Sequence, residues 1–181
     1  MTFSRNFQLG AMVVCVCALA WIWYQNRQTN ELIGDGNSLV IEATELSRIA
    51  KEKNEALAAL STDDVIKSRR AELQTAAQET SEALRKSAAK WREVAELNDQ
   101  LVGRTDNDVN KRLCRMRRDS FLALAEASEA NAEASLVWLD PKIVDQRSGF
   151  AAMEPHIQRA EAARERADNL KAEAKALRAS D

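Results

Sequence analysis

The residue types that carry acid–base or nucleophilic chemistry are sparse in this chain and do not cluster. There is one histidine, His156, which follows Pro155 and lies two residues after Glu154. A general acid or base needs a partner within hydrogen-bond reach, and an isolated histidine at a helix start is most often a surface residue. The sequence has neither a glycine-rich phosphate loop nor a G-x-S-x-G nucleophile elbow. It therefore predicts a protein that is not an enzyme.

Metal-ligand spacings are also missing from the sequence. It contains no H-x-x-H or C-x-x-C pair and no E-x-x-H of the di-iron bundles. Two of the three cysteines lie in an apolar stretch near the amino terminus and the third is Cys114, which does not make a disulfide framework. Glu126, Glu129 and Glu133 share one helical face, and without histidines we interpret them as a solvated acidic stripe. We predict no metal and no other cofactor.

One segment, 110–120, concentrates positive charge with the sequence NKRLCRMRRDS. Its cations are Lys111, Arg112, Arg115, Arg117 and Arg118. The first, third and fifth share a helical face, because they follow i, i+4, i+7 spacing. Such a patch could bind an anionic lipid headgroup, a phosphate or an acidic protein surface, and it could lower the pKa of Cys114. The alternative is a solvated face paired with Asp108 and Asp119.

Composition and charge restrict the class of protein further. Hydrophobic residues make up 45% of the 181 residues and aromatic residues only 5%, with five glycines and two prolines. Such a composition is typical of a helical, coiled-coil-like protein. The net charge of −2 argues against a general nucleic-acid-binding protein, which would be clearly basic.

The basic cluster must be positioned by helices, because apolar residues repeat with four–three spacing in four segments after residue 36. The first segment begins at Asn37 or Ser38 and ends near residue 60. The second begins at a capping box in 61–64 and runs unbroken to Gly103. Its seam is Leu73, Ala77, Thr80, Leu84, Ser87, Trp91, Val94, Asn98 and Leu101.

The third segment spans about 106–139 and opens with Thr105 as its cap, and the fourth ends near residue 179. We expect the fourth helix to begin between Phe150 and Pro155, because proline fits only in a first helical turn. The short connections predict antiparallel neighbours. Trp91 is then a core residue and Trp138 a core plug at one end of the bundle. The basic cluster lies close to the hairpin tip, 97–113, which is the expected place for a partner.

The amino-terminal region contains no charged residue between Arg5 and Arg27, about the length that crosses a bilayer as a helix. We divide the chain into a tail, a transmembrane signal anchor, a juxtamembrane linker and a helical domain, at 1–6, 7–25, 26–36 and 37–179. Gly34 and Gly36 mark the linker as a helix breaker. Trp21, Trp23 and Tyr24 are the predicted membrane-interface residues. A signal peptide cleaved after residues 18–20 is the alternative.

The predicted fold is all-α, an N-terminal transmembrane helix followed by an antiparallel helical bundle or coiled-coil hairpin of about four helices. We expect a non-enzymatic, single-pass membrane scaffold, tether or assembly subunit that acts through protein–protein interaction. Its amino terminus would be cytoplasmic and its helical domain extracytoplasmic, in the periplasm of a bacterium. The expected partners are the bilayer and either another protein or further copies of the chain. Two alternatives are an extracytoplasmic ligand-sensing bundle that works with a separate signalling protein, and a membrane-bridging coiled coil of the phage spanin type.

Overall fold

The computed structural model describes the backbone from Arg5 to Ser180 and the side chains of Tyr24 and residues 27–180. Within this range the structure is helical and has no strand, so the all-α prediction is confirmed. The chain divides into two compact units, Met1–Asp35 and Gly36–Asp181. The elements in chain order are α1 Arg5–Leu60, α2 Asp63–Ser68, α3 Arg70–Arg104, α4 Asp108–Leu136, a 3-10 turn Val137–Leu139, and α5 Gln146–Ala179.

The first unit belongs entirely to α1 wherever its backbone is described. Tyr24 is exposed, and its hydroxyl accepts a hydrogen bond from the Gln28 amide. Within the predicted anchor, 7–25, the side chain of Tyr24 is described, whereas those of Trp21, Trp23 and the other anchor residues lie outside the described side chains. Across the described part of the chain, no helix combines the length and the apolar character needed to span a membrane.

The helix break predicted at Gly34 and Gly36 is not observed, because α1 is helical at both positions. None of the described glycines has a positive φ, so neither residue is used for its conformational freedom. A glycine inside a helix costs only about 1 kcal/mol relative to alanine, which does not end a helix by itself. Gly36 is the first residue of the second unit, and a Cβ added there would lie 3.9 Å from Leu97 Cδ1.

In the second unit, the part of α1 after residue 35 packs antiparallel to α3. The ammonium of Lys90 lies 3.3 Å from Glu42, and that of Lys53 lies 2.7 Å from Glu79. Residue numbers therefore rise along α1 as they fall along α3. The predicted short connection between these helices does make them antiparallel neighbours.

The same alternation continues through α4 and α5. Arg118 on α4 pairs with Asp99 near the end of α3. On the other side of α4, the hydroxyl of Ser120 donates to the carbonyl of Ala167 on α5 at 3.1 Å. The second unit is thus an antiparallel bundle, in which α4 packs against both α3 and α5.

The seam predicted for α3 is buried except at Leu101, which is half-buried, and this confirms the four–three spacing of its core-facing residues. Its buried members are Leu73, Ala77, Thr80, Leu84, Ser87, Trp91, Val94 and Asn98. The polar members find partners inside the bundle, because Thr80 donates to the Ala76 carbonyl at 2.7 Å and Ser87 shares a 2.7 Å hydrogen bond with Ser47. The side-chain amide of Asn98 donates to the Val94 carbonyl in its own helix at 2.9 Å.

The unbroken second helix predicted from the sequence is wrong, because the chain leaves helical geometry at Arg69 with φ −130° and ψ 36°. This break separates α2 from α3 and places Ile66 in a buried cluster with Leu57 and Leu73. The cap of α2 is Thr62, whose hydroxyl accepts from the Val65 amide at 3.4 Å. The burial of Ile66 offsets the cost of this break. The sequence gives no signal of it, since no glycine or proline lies near Arg69.

The starts of α4 and α5 also differ from the predictions. The cap of α4 is Asn107, whose side chain accepts from the Asn110 amide at 3.0 Å, and not Thr105. α5 begins at Gln146, because Asp145 and Ser148 form a capping box in which the Ser148 amide donates to Asp145 at 2.7 Å. Pro155 therefore lies inside α5, well beyond its first turn.

Candidate functional site

The five cations predicted as a binding patch lie in the first turns of α4 and have different surroundings. Arg118 is used by the fold, since its guanidinium lies 2.7 Å from Asp99 and 2.9 Å from Asp119. Lys111 lies 3.9 Å from the almost fully exposed Asp108. Exposed pairs of this kind contribute little free energy. The predicted patch is therefore divided into paired and unpaired members.

Arg112, Arg115 and Arg117 form no ion pair within the described residues, and all three are exposed. Arg112 lies close to the start of α4, where the helix dipole disfavours positive charge. Neither an ion pair nor the dipole of α4 therefore stabilises this charge. These three arginines remain available for an external anion.

The structure adds cations from α5 that the sequence analysis missed. A groove of about 220 Å³ between α4 and α5 is lined by Met116, Arg117, Leu170, Lys171, Ala174, Lys175 and Arg178, and we call it the basic groove. Lys171 pairs with Asp168 at 3.0 Å. Lys175 and Arg178 have no ion pair in the part of the chain that is described. The i, i+4, i+7 spacing of the three α5 cations was a usable signal, but their contact with α4 depends on tertiary packing.

We use the name basic end for the unpaired cations at this end of the second unit. They are Arg112, Arg115, Arg117, Lys175 and Arg178. The floor of the basic groove is apolar, since Met116 is buried and Leu170 and Ala174 are half-buried. Its walls are cationic. The arrangement therefore suits a ligand that carries negative charge beside an apolar strip.

Cys114 does not have the reactive character that the neighbouring arginines suggested. Burial raises the pKa of its thiol, and the nearby Arg178 lowers that pKa by a smaller amount. A reactive thiolate needs a lowered pKa. The basic cluster therefore does not lower the pKa of this thiol.

The three glutamates of α4 are not a solvated stripe, as the sequence suggested, because cations of the flanking helices pair with each of them. Arg92 on α3 lies 2.5 Å from Glu129, and Arg166 on α5 lies 2.5 Å from Glu126. Glu133 is bound by Arg159 of α5 at 2.8 Å. We call these six residues the glutamate belt. It connects α4 to both of its neighbours.

His156 lies next to the glutamate belt. Its Nδ1 lies 3.1 Å from Glu133, which also binds Arg159. The hydrogen bond from Arg159 is the main reason that the pKa of Glu133 is lowered. Among the described residues, no group of three or more His, Cys, Asp or Glu side chains is placed to hold a metal ion. The histidine therefore takes part in a hydrogen bond with a glutamate of the neighbouring helix.

The two tryptophans of the second unit are core residues, as predicted. The Trp91 ring stacks on Phe121 with a centroid distance of 5.5 Å, and its indole N–H donates to Ser47 at 3.1 Å. Trp138 is 2% exposed and packs edge-on to Phe150. Neither ring forms an exposed aromatic contact site.

Comparison with known proteins gives no family for this chain, since no family model, no curated protein and no solved structure matches it.

Proposed function

We propose that this protein is a non-enzymatic helical scaffold, anchored in a membrane by residues 7–25, that binds an acidic amphipathic helix of another protein in its basic groove. The observation that carries the proposal is the set of unpaired cations at the basic end. Elsewhere on α4 the charged side chains are matched, as the glutamate belt shows. A surface whose charges the fold does not use is available for a partner.

The shape of the basic groove favours a helix as the partner's binding element. Its floor runs along the line where α4 and α5 meet, with Leu170 and Ala174 one turn apart on α5. An amphipathic helix places apolar residues at i, i+3, i+4 and i+7, which matches a groove between two helices. Arg117 and Lys175 would then face acidic residues that flank the apolar stripe of the partner.

The anchor part of the proposal rests on the sequence. The uncharged stretch between Arg5 and Arg27 has about the length that a helix needs to cross the hydrocarbon core. A short amino-terminal tail with one arginine favours a cytoplasmic amino terminus. The helical domain would therefore be extracytoplasmic.

The experiment that tests the proposal is photo-crosslinking of the full chain in its native membrane. A photoreactive phenylalanine analogue replaces Arg117 in the basic groove, and a control chain carries it at the exposed Ala162 of α5. We expect a discrete adduct with another protein from position 117, which weakens as salt is added because salt screens exposed charges. Position 162 should give no such adduct.

Three outcomes would contradict the proposal. An adduct with lipid alone would assign the basic end to the membrane surface. A ladder of self-adducts would assign it to assembly between copies of the chain. Equal adducts from positions 117 and 162 would show that the basic groove has no special role.

A further inference from the structure

A second concave site lies in the second unit, away from the basic groove, and it is partly open to solvent, since Lys51, Asn54 and Arg164 at its rim are exposed. It is a cavity of about 550 Å³ to which α1, α3, α4 and α5 all contribute side chains. Small-molecule sites in proteins commonly have volumes of about 300–1,000 Å³. This cavity therefore has the size of a ligand site, and it is lined by four helices.

The apolar part of the cavity is formed by core residues. Leu84 and Trp91 of α3 face it from one side and Leu124 of α4 from another. The Trp91 indole is held in place, since it stacks on Phe121 and donates to Ser47. The cavity thus offers a rigid aromatic wall and branched aliphatic surface to the body of a ligand.

The polar part contains an arginine that the fold does not use. Arg164 of α5 lines the cavity and forms no ion pair among the described side chains, whereas Arg159 and Arg166 on the same helix both pair with α4 glutamates. The carboxylate of Asp168, which lies one turn further along α5, is 3.0 Å from Lys171. An unpaired guanidinium therefore lies beside the cavity.

Two side-chain amides complete the polar part. Asn54 of α1 and Asn131 of α4 line the cavity, and no protein group within the described region hydrogen-bonds to either amide. The remaining charges on the cavity wall compensate each other, since Lys51 lies 3.8 Å from Glu55. The charge left over is the positive charge of Arg164, which selects for an anion.

We propose that this cavity binds a small organic carboxylate with an aromatic or aliphatic body. The guanidinium of Arg164 binds the carboxylate in the forked geometry that arginine favours, and the two asparagine amides donate to the remaining lone pairs. Trp91 and Leu84 contact the body of the ligand. This site is separate from the basic groove, so it stands or falls independently of the proposed scaffold function.

The test uses the full chain in a lipid nanodisc, with phenylacetate as the probe and phenylacetamide as its uncharged analogue. The readout is the NMR signal of each tryptophan indole N–H, with the Trp91 signal assigned by its loss in Trp91→Phe. We expect phenylacetate to move the Trp91 signal to saturation and to leave the buried Trp138 signal in place. Phenylacetamide should bind more weakly, because it lacks the charge that Arg164 recognises.

Matched variants on α5 separate the ligand site from general effects of charge. Arg164→Gln should weaken phenylacetate binding by roughly tenfold, the effect of losing one charge-assisted hydrogen-bonded contact. Arg166→Gln removes a guanidinium two residues away that pairs with Glu126, and it should leave the affinity unchanged.

The proposal is overturned if the Trp91 signal does not move at millimolar phenylacetate, or if Arg164→Gln and Arg166→Gln bind the probe equally. It is also overturned if all tryptophan signals move together, which would indicate partition of the probe into the bilayer. Arg164 is exposed, so its replacement does not endanger the fold.

Discussion

The two ends of the second unit use their polar groups in opposite ways. At the end that contains the 3-10 turn, which we call the closed end, Arg70 donates to the Ile143 carbonyl at 2.9 Å. The carboxylate of Asp63 accepts from the Gln146 amide at 2.7 Å. At the basic end, Arg112 and Arg115 are exposed and have no ion pair within the described residues. At the closed end, charged side chains hydrogen-bond to the backbone of another chain segment. At the basic end, the exposed arginines form no such bond within the described residues.

Two glycines show the same difference in packing. A Cβ added at Gly149, in the closed end, would lie 2.2 Å from the ring of Trp138, closer than real atoms approach. A Cβ added at Gly103, near the basic end, would meet nothing within 4 Å. The closed end is therefore tightly packed around Trp138. Near the basic end there is free space beside Gly103, and the arginines Arg112 and Arg115 form no ion pair among the described residues.

The largest predicted effect comes from removing the ring that fills the closed end. Trp138→Ala deletes a side chain that is 2% exposed and packs with Leu57, Leu73 and Ile143. We expect the free energy of unfolding to fall by about 3–5 kcal/mol, the usual cost of such a cavity. Chemical denaturation followed by circular dichroism measures it. A loss as small as that of a surface substitution would contradict the assignment of Trp138 as the core plug.

The next prediction compares how an alanine at each of the two glycine positions changes the free energy of unfolding. Gly149→Ala should lower the free energy of unfolding by about 1–3 kcal/mol, because the methyl group forces the Trp138 ring to move. Gly103→Ala should raise it by up to about 1 kcal/mol, since alanine favours a helix and the site is open. The same denaturation experiment compares both. Equal effects of the two substitutions would mean that the ends are packed alike.

The seam of α3 shows how much of this fold was predictable. Four–three spacing identified residues such as Leu84 and Val94 as buried, because a repeating helical face needs no tertiary knowledge. The break at Arg69 was not predictable, since the burial of Ile66 that accompanies it depends on contacts with α1 and α3. The start of α5 was missed because the Asp145 capping box outweighs the preference of Pro155 for a first turn.

The candidate site was predictable only in part, for the same physical reason. The cluster on α4 is visible as a run of arginines, but a run does not reveal which members are paired. Arg118 pairs with Asp99 on a different helix, and Arg117 shares a groove with Lys175 of α5. Both facts depend on how neighbouring helices align along their axes.

A smaller effect distinguishes the glutamate belt from the basic end. Replacing Arg92, Arg159 and Arg166 by glutamine removes three interhelical pairs, each exposed and contributing up to about 1 kcal/mol. Replacing Arg112, Arg115 and Arg117 by glutamine removes no ion pair and should leave the unfolding midpoint in place. Thermal denaturation of the two triple variants checks this. A larger loss from the second set would show that those arginines stabilise the fold.

The smallest predicted effect is a pH dependence of the belt. The hydrogen bond from Arg159 holds the pKa of Glu133 below its usual value, so the folded state binds this proton less readily than the unfolded state. The stability that this carboxylate contributes is present above its unfolded pKa, and it is lost as the pH falls through its folded pKa. The unfolding midpoint of the wild-type chain should therefore fall slightly more on acidification than that of Glu133→Gln. Identical pH profiles would contradict a paired Glu133.

The most direct test of the central claim is to repeat the crosslinking in the two triple variants, with the photoreactive residue now at Lys175 of the basic groove. Arg112, Arg115 and Arg117 are replaced by glutamine in one chain, and the three arginines of the belt in the other. We predict that the belt variant keeps the protein adduct, and that the basic-end variant loses it while its unfolding midpoint is unchanged. An adduct that survives in the basic-end variant, or disappears in both, would contradict the claim that the unused charges of this end bind the partner.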